Sequence, residues 1–196
     1  MKLPARAPRA QTPFRFGYGA PSLDLGVTLR RRASKPVELL ETPADAARWL
    51  QSAGLTPEPL PLKESQLRDL RELRDAIYRI GRAAGDGRAP AAADIRLVNA
   101  AARRSDAAPQ LAVDWSVQMP RAHAFELALG AIARDAIAVF ADEDRRARLR
   151  TCEQDDCRAL FLDRSRGERR RWCSMSRCGS RAKVAAFRQR QKEEHP

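Results

Sequence analysis

The sequence predicts an α+β protein, in which a mainly helical N-terminal domain with a small β-sheet is followed by a small cysteine-bearing finger. Three observations lead to this expectation. Apolar residues recur at spacings of three and four over 67–80 and 125–140, the pattern of a helix that buries one face. Residues 111–117 alternate apolar and polar side chains, as a half-buried strand does. All four cysteines lie within the last 45 residues of the 196-residue chain.

The N-terminal segment carries signals for short elements and one helix. Residues 1–12 are rich in Pro, Arg and Ala, and we expect them to be flexible. Phe14–Tyr18 alternates aromatic with small or charged residues and predicts an opening strand, while Ser22–Leu29 predicts an extended or short helical piece. Thr42–Asp45 offers a cap, a proline and an acidic residue in the order that begins a helix, which should stop at Gly54.

Two further helices are expected in the middle of the chain. The apolar stripe Leu67–Ile80 predicts a long helix that ends at Gly85–Gly87. Residues 90–103 predict a short Ala-rich helix that turns Ile95 and Val98 inward.

The segment before the cysteines predicts a strand and two helices. Leu111–Val117 is the best strand signal in the sequence. Arg121–Ala141 predicts a long helix, and Asp142–Asp144 should cap a short basic helix over Arg145–Arg150. The core stripe of the long helix should consist of Phe125, Leu129, Ile132, Ala136 and Phe140. We place a domain boundary near Arg150 and expect the front domain to fold without the finger.

The positive charge is concentrated at the C-terminal end. Residues 145–196 hold +9 of the formal net charge of +12. Such asymmetry favours a polyanionic partner, usually nucleic acid, over a merely solvated basic face. No apolar run is long enough for a membrane helix, and no apolar stretch follows the basic N-terminus, so we expect a cytoplasmic protein.

The cysteine pattern is Cys-x4-Cys-x15-Cys-x4-Cys, formed by Cys152, Cys157, Cys173 and Cys178. Clustered cysteines in a reducing compartment bind metal more often than they form disulfides. Two close pairs separated by a hairpin-length spacer predict a treble-clef/zinc-ribbon-like finger around one structural Zn²⁺. An iron–sulfur cluster and four reduced thiols are the alternatives. A closed shell of four thiolates leaves no position for a catalytic water.

The spacer and the tail of the finger predict further elements. Ala159–Leu162 should form a strand, Asp163–Gly167 a turn and Arg170–Trp172 the returning strand. A final helix should begin near Ala182, run to about Lys192 and pack Val184 and Phe187 inward.

Basic side chains flank the second cysteine pair and are the candidate nucleic-acid contacts. We expect the arginines before Cys173 to hold phosphates, and Arg181 and Arg188 to reach base edges. The alternative is a solvated face or pairing with Asp155, Asp156 and Glu168. The full candidate set is Arg166, Arg169, Arg170, Arg171, Arg181, Lys183, Arg188 and Arg190.

Enzymatic chemistry is not expected. The sequence has no nucleophile-elbow, phosphate-loop or dinucleotide-loop motif. Its two histidines, His123 and His195, lie at a helix start and beside the terminus, and neither has the partners of a catalytic group in the sequence pattern.

Motifs in both halves of the chain carry a family resemblance. Around the cysteines these are Arg164–Arg166, Arg170–Met175, Cys178–Lys183 and Phe187–Arg188; near the N-terminus they are Leu23–Thr28, Thr42–Asp45 and Arg48–Leu50. With these motifs the chain, from Phe14 to Arg190, resembles the bacterial CGNR zinc-finger family, in which an N-terminal ABATE domain precedes the finger. Two positions depart from the family pattern, since Ser180 and Val27 each stand where the family has Asn.

The resemblance implies an organisation and a role. After the segment 1–12, whose composition predicts flexibility, it implies an ABATE-like sensor domain over 13–144 and a CGNR-like zinc finger over 145–192 with a basic C-terminal helix. It implies a DNA-binding transcription regulator of the stress-induced type, whose front domain senses a small-molecule effector or mediates assembly. A single finger buries little DNA surface, so we also expect a homodimer. A zinc-stabilised RNA- or protein-interaction module, and an enzyme with a pocket in the N-terminal domain, remain as alternatives.

Overall fold

The computed structural model describes residues 14–104, 110–111, 113–115, 117–118 and 123–194, so the predicted flexible segment 1–12 lies outside the described residues. The fold is mostly helical with small two-stranded sheets, which confirms the predicted class. The elements in chain order are α1 Pro21–Gly26, β1 Leu29–Arg30, β2 Val37–Glu38, α2 Pro43–Ser52, α3 Glu64–Gly85, α4 Ala92–Ala102, β3 Gln110–Leu111, β4 Val117–Gln118, α5 Ala124–Ala141, α6 Glu143–Ala147, β5 Leu149–Thr151, β6 Leu160–Leu162, a π-helical turn Met175–Gly179, and α7 Ser180–Glu194. The strands pair antiparallel as β1–β2, β3–β4 and β5–β6.

Helix α2 begins where its local signals predict. The Thr42 hydroxyl accepts a hydrogen bond from the Asp45 backbone N–H at 3.2 Å, and the Asp45 carboxylate accepts one from the Thr42 N–H at 2.9 Å. This reciprocal capping box satisfies two donors that a helix start otherwise leaves without partners. The helix ends at Ser52, shortly before Gly54, whose φ of +71° reverses the chain.

The first hydrophobic core forms between α2, α3, α4 and α5. The predicted α3 stripe is buried along its whole length, and Trp49 of α2 is fully buried beside it. The predicted α5 stripe is buried except for Phe140, which is half-buried. Helix α4 differs from the prediction because Ile95 is 37% exposed while Val98 is buried. Asp94 takes the inward position instead, where Arg79 holds it with an ion pair of 2.6 Å.

Two predicted strands before the finger are wrong. Phe14–Tyr18 is not a strand, because the Tyr18 N–H donates to the Asp24 carboxylate at 2.8 Å and the chain bends into α1. Of the two alternatives for Ser22–Leu29, the short helix is the correct one. Leu111–Val117 is not one strand but two short strands around a turn, in which Val113 and Trp115 are exposed. Trp115 has a φ of +65°, which breaks the extended backbone that the alternation suggested.

The finger is built on a hairpin that the sequence did not reveal. Asp142 caps α6 as predicted, accepting from the Arg145 N–H at 3.0 Å, but the helix ends at Ala147 rather than Arg150. The next residues form β5, which pairs with β6 in a register that sets Arg150 opposite Phe161. The predicted return strand Arg170–Trp172 is not a strand. The strand that pairs with β6 is therefore β5, which precedes Cys152, and not a segment between Cys157 and Cys173.

A second core joins the N-terminal segment to the finger. Leu162 of β6 donates its N–H to the Tyr18 carbonyl at 2.9 Å. Gly19, with a φ of +105°, passes so close that a Cβ there would lie 2.7 Å from the Leu162 Cβ. The buried members of this core come from both sides: Tyr18, Ala20, Leu23, Val27 and Val139 from the front, and Leu149, Ala159, Leu160, Phe161, Leu162 and three cysteines from the finger. This shared core argues against a front domain that folds without the finger.

A buried ion cluster fixes β2 on α3. The Arg74 side chain is 3% exposed and donates to both Glu38 oxygens at 2.7 and 2.8 Å. It also donates to Asp75 at 3.0 Å, and Arg32 pairs with the same carboxylate at 3.1 Å. Burial opposes ionisation of Asp75, but the hydrogen bond from Arg74 outweighs it, and the net effect lowers the pKa of Asp75. The cluster thereby anchors the β1–β2 hairpin, which faces the finger.

No helix in the described part of the chain combines the length and the apolar character needed to cross a membrane.

Candidate metal centre and basic surface

The first cysteine pair lies on the turn between β5 and β6. The Cys152 N–H donates to the Ala159 carbonyl at 2.8 Å, and the Cys157 N–H donates to the Gln154 carbonyl at 2.8 Å. Arg158 closes this turn with a φ of +52°. Its carbonyl accepts a hydrogen bond of 3.1 Å from the Tyr78 hydroxyl, so α3 holds the turn in place.

The second pair lies at the start of the C-terminal helix. Cys173 precedes the π-helical turn and Cys178 lies within it, and the Gly179 N–H donates to the Ser174 carbonyl at 3.0 Å. The Arg170 guanidinium donates to the Trp172 carbonyl at 2.9 Å and to the Cys173 carbonyl. This arginine fixes the backbone that leads into the third cysteine.

The four cysteine sulfurs converge on one point. All four Sγ atoms lie within 4.8 Å of one another. The Sγ atoms of Cys157 and Cys173 are 3.8 Å apart, and those of Cys173 and Cys178 are 3.6 Å apart. A disulfide needs about 2.05 Å. Four metal–sulfur bonds of about 2.3 Å in a tetrahedron separate the sulfurs by about 3.8 Å, so the donor set fits one tetrahedral metal ion.

The electrostatics of the cluster also call for a cation. Hydrogen bonding among the four thiols raises the pKa of Cys157 and Cys173 and lowers the pKa of Cys152 and Cys178, so the four do not ionise alike. Cys152, Cys173 and Cys178 are buried, and Cys157 is half-buried. A divalent ion would stabilise four thiolates together and link the two turns. With four sulfur ligands the shell is closed, so such an ion serves structure.

Comparison with known families now agrees with the geometry. The family model for the ABATE domain, described as "Putative stress-induced transcription regulator", matches residues 19–143, more than half of the chain. The chain belongs to the ABATE family. The model for the CGNR zinc finger matches residues 148–191, which include all four cysteines. No curated protein matches the chain.

The two positions that depart from the family pattern keep local roles. The Ser180 hydroxyl donates to the Met175 carbonyl at 3.1 Å and so closes the π-helical turn. Val27 of the ABATE domain is 5% exposed and packs in the core shared with the finger.

Asp163 is a structural residue of the finger that the motif search missed. It is fully buried, and it accepts hydrogen bonds from the Ser165 N–H, the Ser165 hydroxyl and the Arg170 N–H at 2.9, 2.7 and 2.7 Å. Burial opposes ionisation, but the hydrogen bonds from Ser165 prevail and lower the pKa of Asp163. The Asp-x-Ser sequence, typical of a side-chain turn, is the signal that marks it.

Two of the predicted nucleic-acid residues have polar partners within the finger. Arg170 is half-buried, with its guanidinium on backbone carbonyls and 5.0 Å from the Phe161 ring centroid. Arg181 forms two hydrogen bonds with Asp156, at 2.8 and 3.0 Å, and these raise its pKa. Its guanidinium also donates to the Cys178 Sγ at 3.7 Å. Arg170 and Arg181 therefore have polar partners within the finger, and their contact with nucleic acid stays a prediction.

The remaining predicted residues point outward. Arg171 pairs with Glu153 at 2.6 Å, yet its side chain is 63% exposed. The other members are exposed and form no ion pair among the described residues: Arg166, Arg169, Lys183, Arg188 and Arg190. Glu168, an expected internal partner, pairs with Arg148 at 3.0 Å instead.

Helix α7 stands away from the core. It begins at Ser180, two residues earlier than predicted, and packs mainly against the π-helical turn. Val184 and Phe187 are 50% and 56% exposed, so the expectation that they pack inward is wrong. Neither side chain belongs to a hydrophobic core of the described residues.

Proposed function

We propose that this ABATE-family protein is a DNA-binding transcription regulator. In this proposal the four cysteines hold one structural Zn²⁺, the finger contacts DNA, and the ABATE domain senses a ligand or mediates assembly. The proposal has no catalytic step, because a closed Cys₄ shell offers no open coordination position. A regulator of this kind would act in the cytoplasm.

The sulfur geometry favours a single zinc ion. In a 2Fe–2S or 4Fe–4S cluster the four cysteines are divided among two or four irons, which moves the sulfurs bound to different irons apart. Here all four sulfurs lie within 4.8 Å of one another, which fits one shared ion. The zinc-finger family match favours zinc over a single iron.

The observation that carries the DNA proposal is the set of unpaired cations on the finger. Arg166, Arg169, Lys183, Arg188 and Arg190 are exposed and have no ion pair among the described residues. Cations without internal partners are available for phosphates, and their contact with DNA releases counterions. Arg169 lies in the loop before Cys173, while Arg188 lies on α7. A protruding helix of this kind can enter the major groove, where an arginine reads guanine.

The exposed apolar residues of α7 favour a second candidate. Val184 and Phe187 would be costly to leave in water if α7 touched only DNA backbone. A zinc-stabilised protein-interaction module would cover them, and so would a homodimer of the regulator, which a small finger needs for specific binding.

Fluorescence anisotropy tests the proposal with matched arginine variants. A genomic pull-down with sequencing first supplies the preferred duplex, and a random duplex serves beside it. Arg169→Gln should weaken binding to both duplexes and flatten the salt slope by about one. Arg188→Gln should cost about 1–3 kcal/mol on the preferred duplex and less on the random one. Arg96→Gln, an exposed arginine on α4 of the ABATE domain, is the control and should change neither.

Each outcome separates the candidates. Equal losses for both finger variants on both duplexes would show a non-specific binder without a means to select a promoter. Absence of binding to any duplex, together with capture of protein or RNA, would favour the interaction module. Zinc content must match the wild type in both variants, since a lost metal would mimic lost contacts.

A further inference from the structure

A groove of about 570 Å³ runs between the ABATE domain and the finger, next to the cysteine cluster. Its cationic lining consists of five arginines, none of its described lining residues is a carboxylate, and Cys157 and Cys178 of the cysteine cluster also line it. Three arginines come from the ABATE side and two from the finger: Arg15, Arg30, Arg31, Arg177 and Arg181. The floor is apolar and includes Val27, Leu29 and Ala159.

One nearby carboxylate offsets part of this charge. Asp156 accepts from Arg181 at 2.8 Å and pairs with Arg31 at 3.4 Å. Arg15 and Arg177 have no ion pair among the described residues. Arg177 lies instead beside the hydroxyl of Tyr18, whose pKa burial raises to about 12. Arg15 and Arg177 therefore remain as cations of the groove that Asp156 does not neutralise.

The pKa of Arg30 reflects the closeness of the other arginines in the groove. Burial first, and then the nearby Arg15 and Arg177, lower the pKa of Arg30 to about 10. Three guanidinium groups that repel one another over an apolar floor are costly to hold together. A bound anion would relieve that repulsion.

We infer that this groove binds a small organic anion, whose carboxylate or phosphate head lies among Arg15, Arg30 and Arg177 and whose apolar body covers the floor. Guanidinium groups bind carboxylate and phosphate through paired hydrogen bonds. The volume lies within the range of about 300–1,000 Å³ that small-molecule sites occupy. The inference deepens the ligand-sensing part of the proposed function and depends on it only for a regulatory consequence.

Such a ligand would connect the two halves of the molecule. Arg15 precedes α1 in the ABATE domain, whereas Arg177 lies in the π-helical turn directly before Cys178 and α7. An anion held by both would tie the turn that begins α7 to the ABATE domain. Binding would then raise the unfolding temperature, and the rise would grow with the logarithm of ligand concentration above Kd, because only the folded protein forms the groove.

Isothermal titration calorimetry on the full-length, zinc-loaded protein tests the site without DNA. The probes share one apolar body and differ in the head group: 1-naphthyl phosphate, 1-naphthoate and neutral 1-naphthol. Inorganic phosphate is the head group without a body. We expect one site per chain for the two naphthyl anions, and at least tenfold weaker binding of naphthol and of inorganic phosphate.

Arginine variants locate the binding site. Arg15→Gln and Arg177→Gln should each weaken binding of 1-naphthyl phosphate at least tenfold, while Arg96→Gln, with the same loss of charge on α4, should leave it unchanged. Arg15 is distant in sequence from the metal ligands, so its variant remains informative if Arg177→Gln loses zinc.

Four results would overturn the inference. Naphthol binding as tightly as the anions would leave only an apolar cleft, and inorganic phosphate binding as tightly would leave a bare anion site that a DNA phosphate could fill. Loss of affinity in the Arg96 control equal to that of Arg15→Gln would show only a general charge effect. No binding of either naphthyl anion would remove the site altogether. DNA binding is measured separately, so each of these results leaves the test of the regulator proposal intact.

Discussion

Phe161 lies at the centre of the core shared by the ABATE domain and the finger, and its truncation tests whether the two halves are one cooperative unit. The side chain is fully buried on β6, among residues of the N-terminal segment, α5 and the finger. Phe161→Ala removes a ring whose burial contributes on the order of 25 cal/mol for each Å² of apolar surface. With the cavity left behind, we expect a loss of about 3–5 kcal/mol in the free energy of unfolding.

Phe187→Ala is the matched control, because it makes the same chemical change on α7 at a side chain that is 56% exposed. It should alter the free energy of unfolding by no more than about 0.5 kcal/mol. Urea titrations followed by helical circular dichroism and by tryptophan fluorescence measure both variants. If the core is shared, Phe161→Ala shifts both signals together to lower urea.

Two results would refute this reasoning. A loss below about 1 kcal/mol would mean that Phe161 is not packed as described. A fluorescence change at low urea with the helical signal unmoved would show an ABATE domain that folds without the finger, as the sequence alone suggested.

Three further predictions concern the metal, the ion cluster and the close approach at β6. Cys157→Ser should abolish the one tightly bound Zn²⁺ measured by elemental analysis and unfold the finger, whereas bound iron would contradict the site. Asp75 has a lowered pKa in the folded state, so its contact with Arg74 stabilises the protein above the unfolded pKa of about 4, and this stabilisation is lost as pH falls through the folded pKa. The difference in free energy of unfolding between wild type and Asp75→Asn should therefore become smaller in acid. A difference that does not change with pH would count against the contact. Gly19→Ala should destabilise the protein by about 1–3 kcal/mol more than Gly17→Ala, because both glycines have positive φ but only Gly19 lies against β6. Equal losses of stability in thermal unfolding would contradict the close contact between Gly19 and Leu162.

Local signals made much of the fold predictable. The α2 start depends on contacts between Thr42 and Asp45, and the α3 and α5 stripes depend on spacing along one helix. The cysteine pattern was predictable for a similar reason, since each pair lies on one tight turn. Contacts of this kind span few residues, so the sequence displays them directly.

The parts that failed depend on distant partners. The backbone of Tyr18 forms hydrogen bonds with the Asp24 carboxylate and with Leu162 of the finger. The alternating apolar and polar residues of Phe14–Tyr18 give no sign of the contact with Leu162. The alternating apolar residues of Leu111–Val117 predicted a half-buried strand, but a pattern within one segment does not show which other element covers it. In the structure Trp115 is exposed.

The candidate site shows the same limit. Charge density marked Arg170 and Arg181 as nucleic-acid contacts, but it does not reveal that Arg170 donates to backbone carbonyls or that Arg181 donates to Asp156. The arginine groove was not foreseen either, since Arg15 and Arg177 meet only in the folded chain.

The salt dependence of duplex DNA binding by the zinc-loaded protein, compared with the same protein after chelation, tests the central claim most directly. Five cations without internal partners predict that log K falls with log salt at a slope of about −4 to −5, and chelation should abolish binding because the metal orders the surface that carries them. Binding that is indifferent to salt, or that survives complete removal of the metal, would contradict the account.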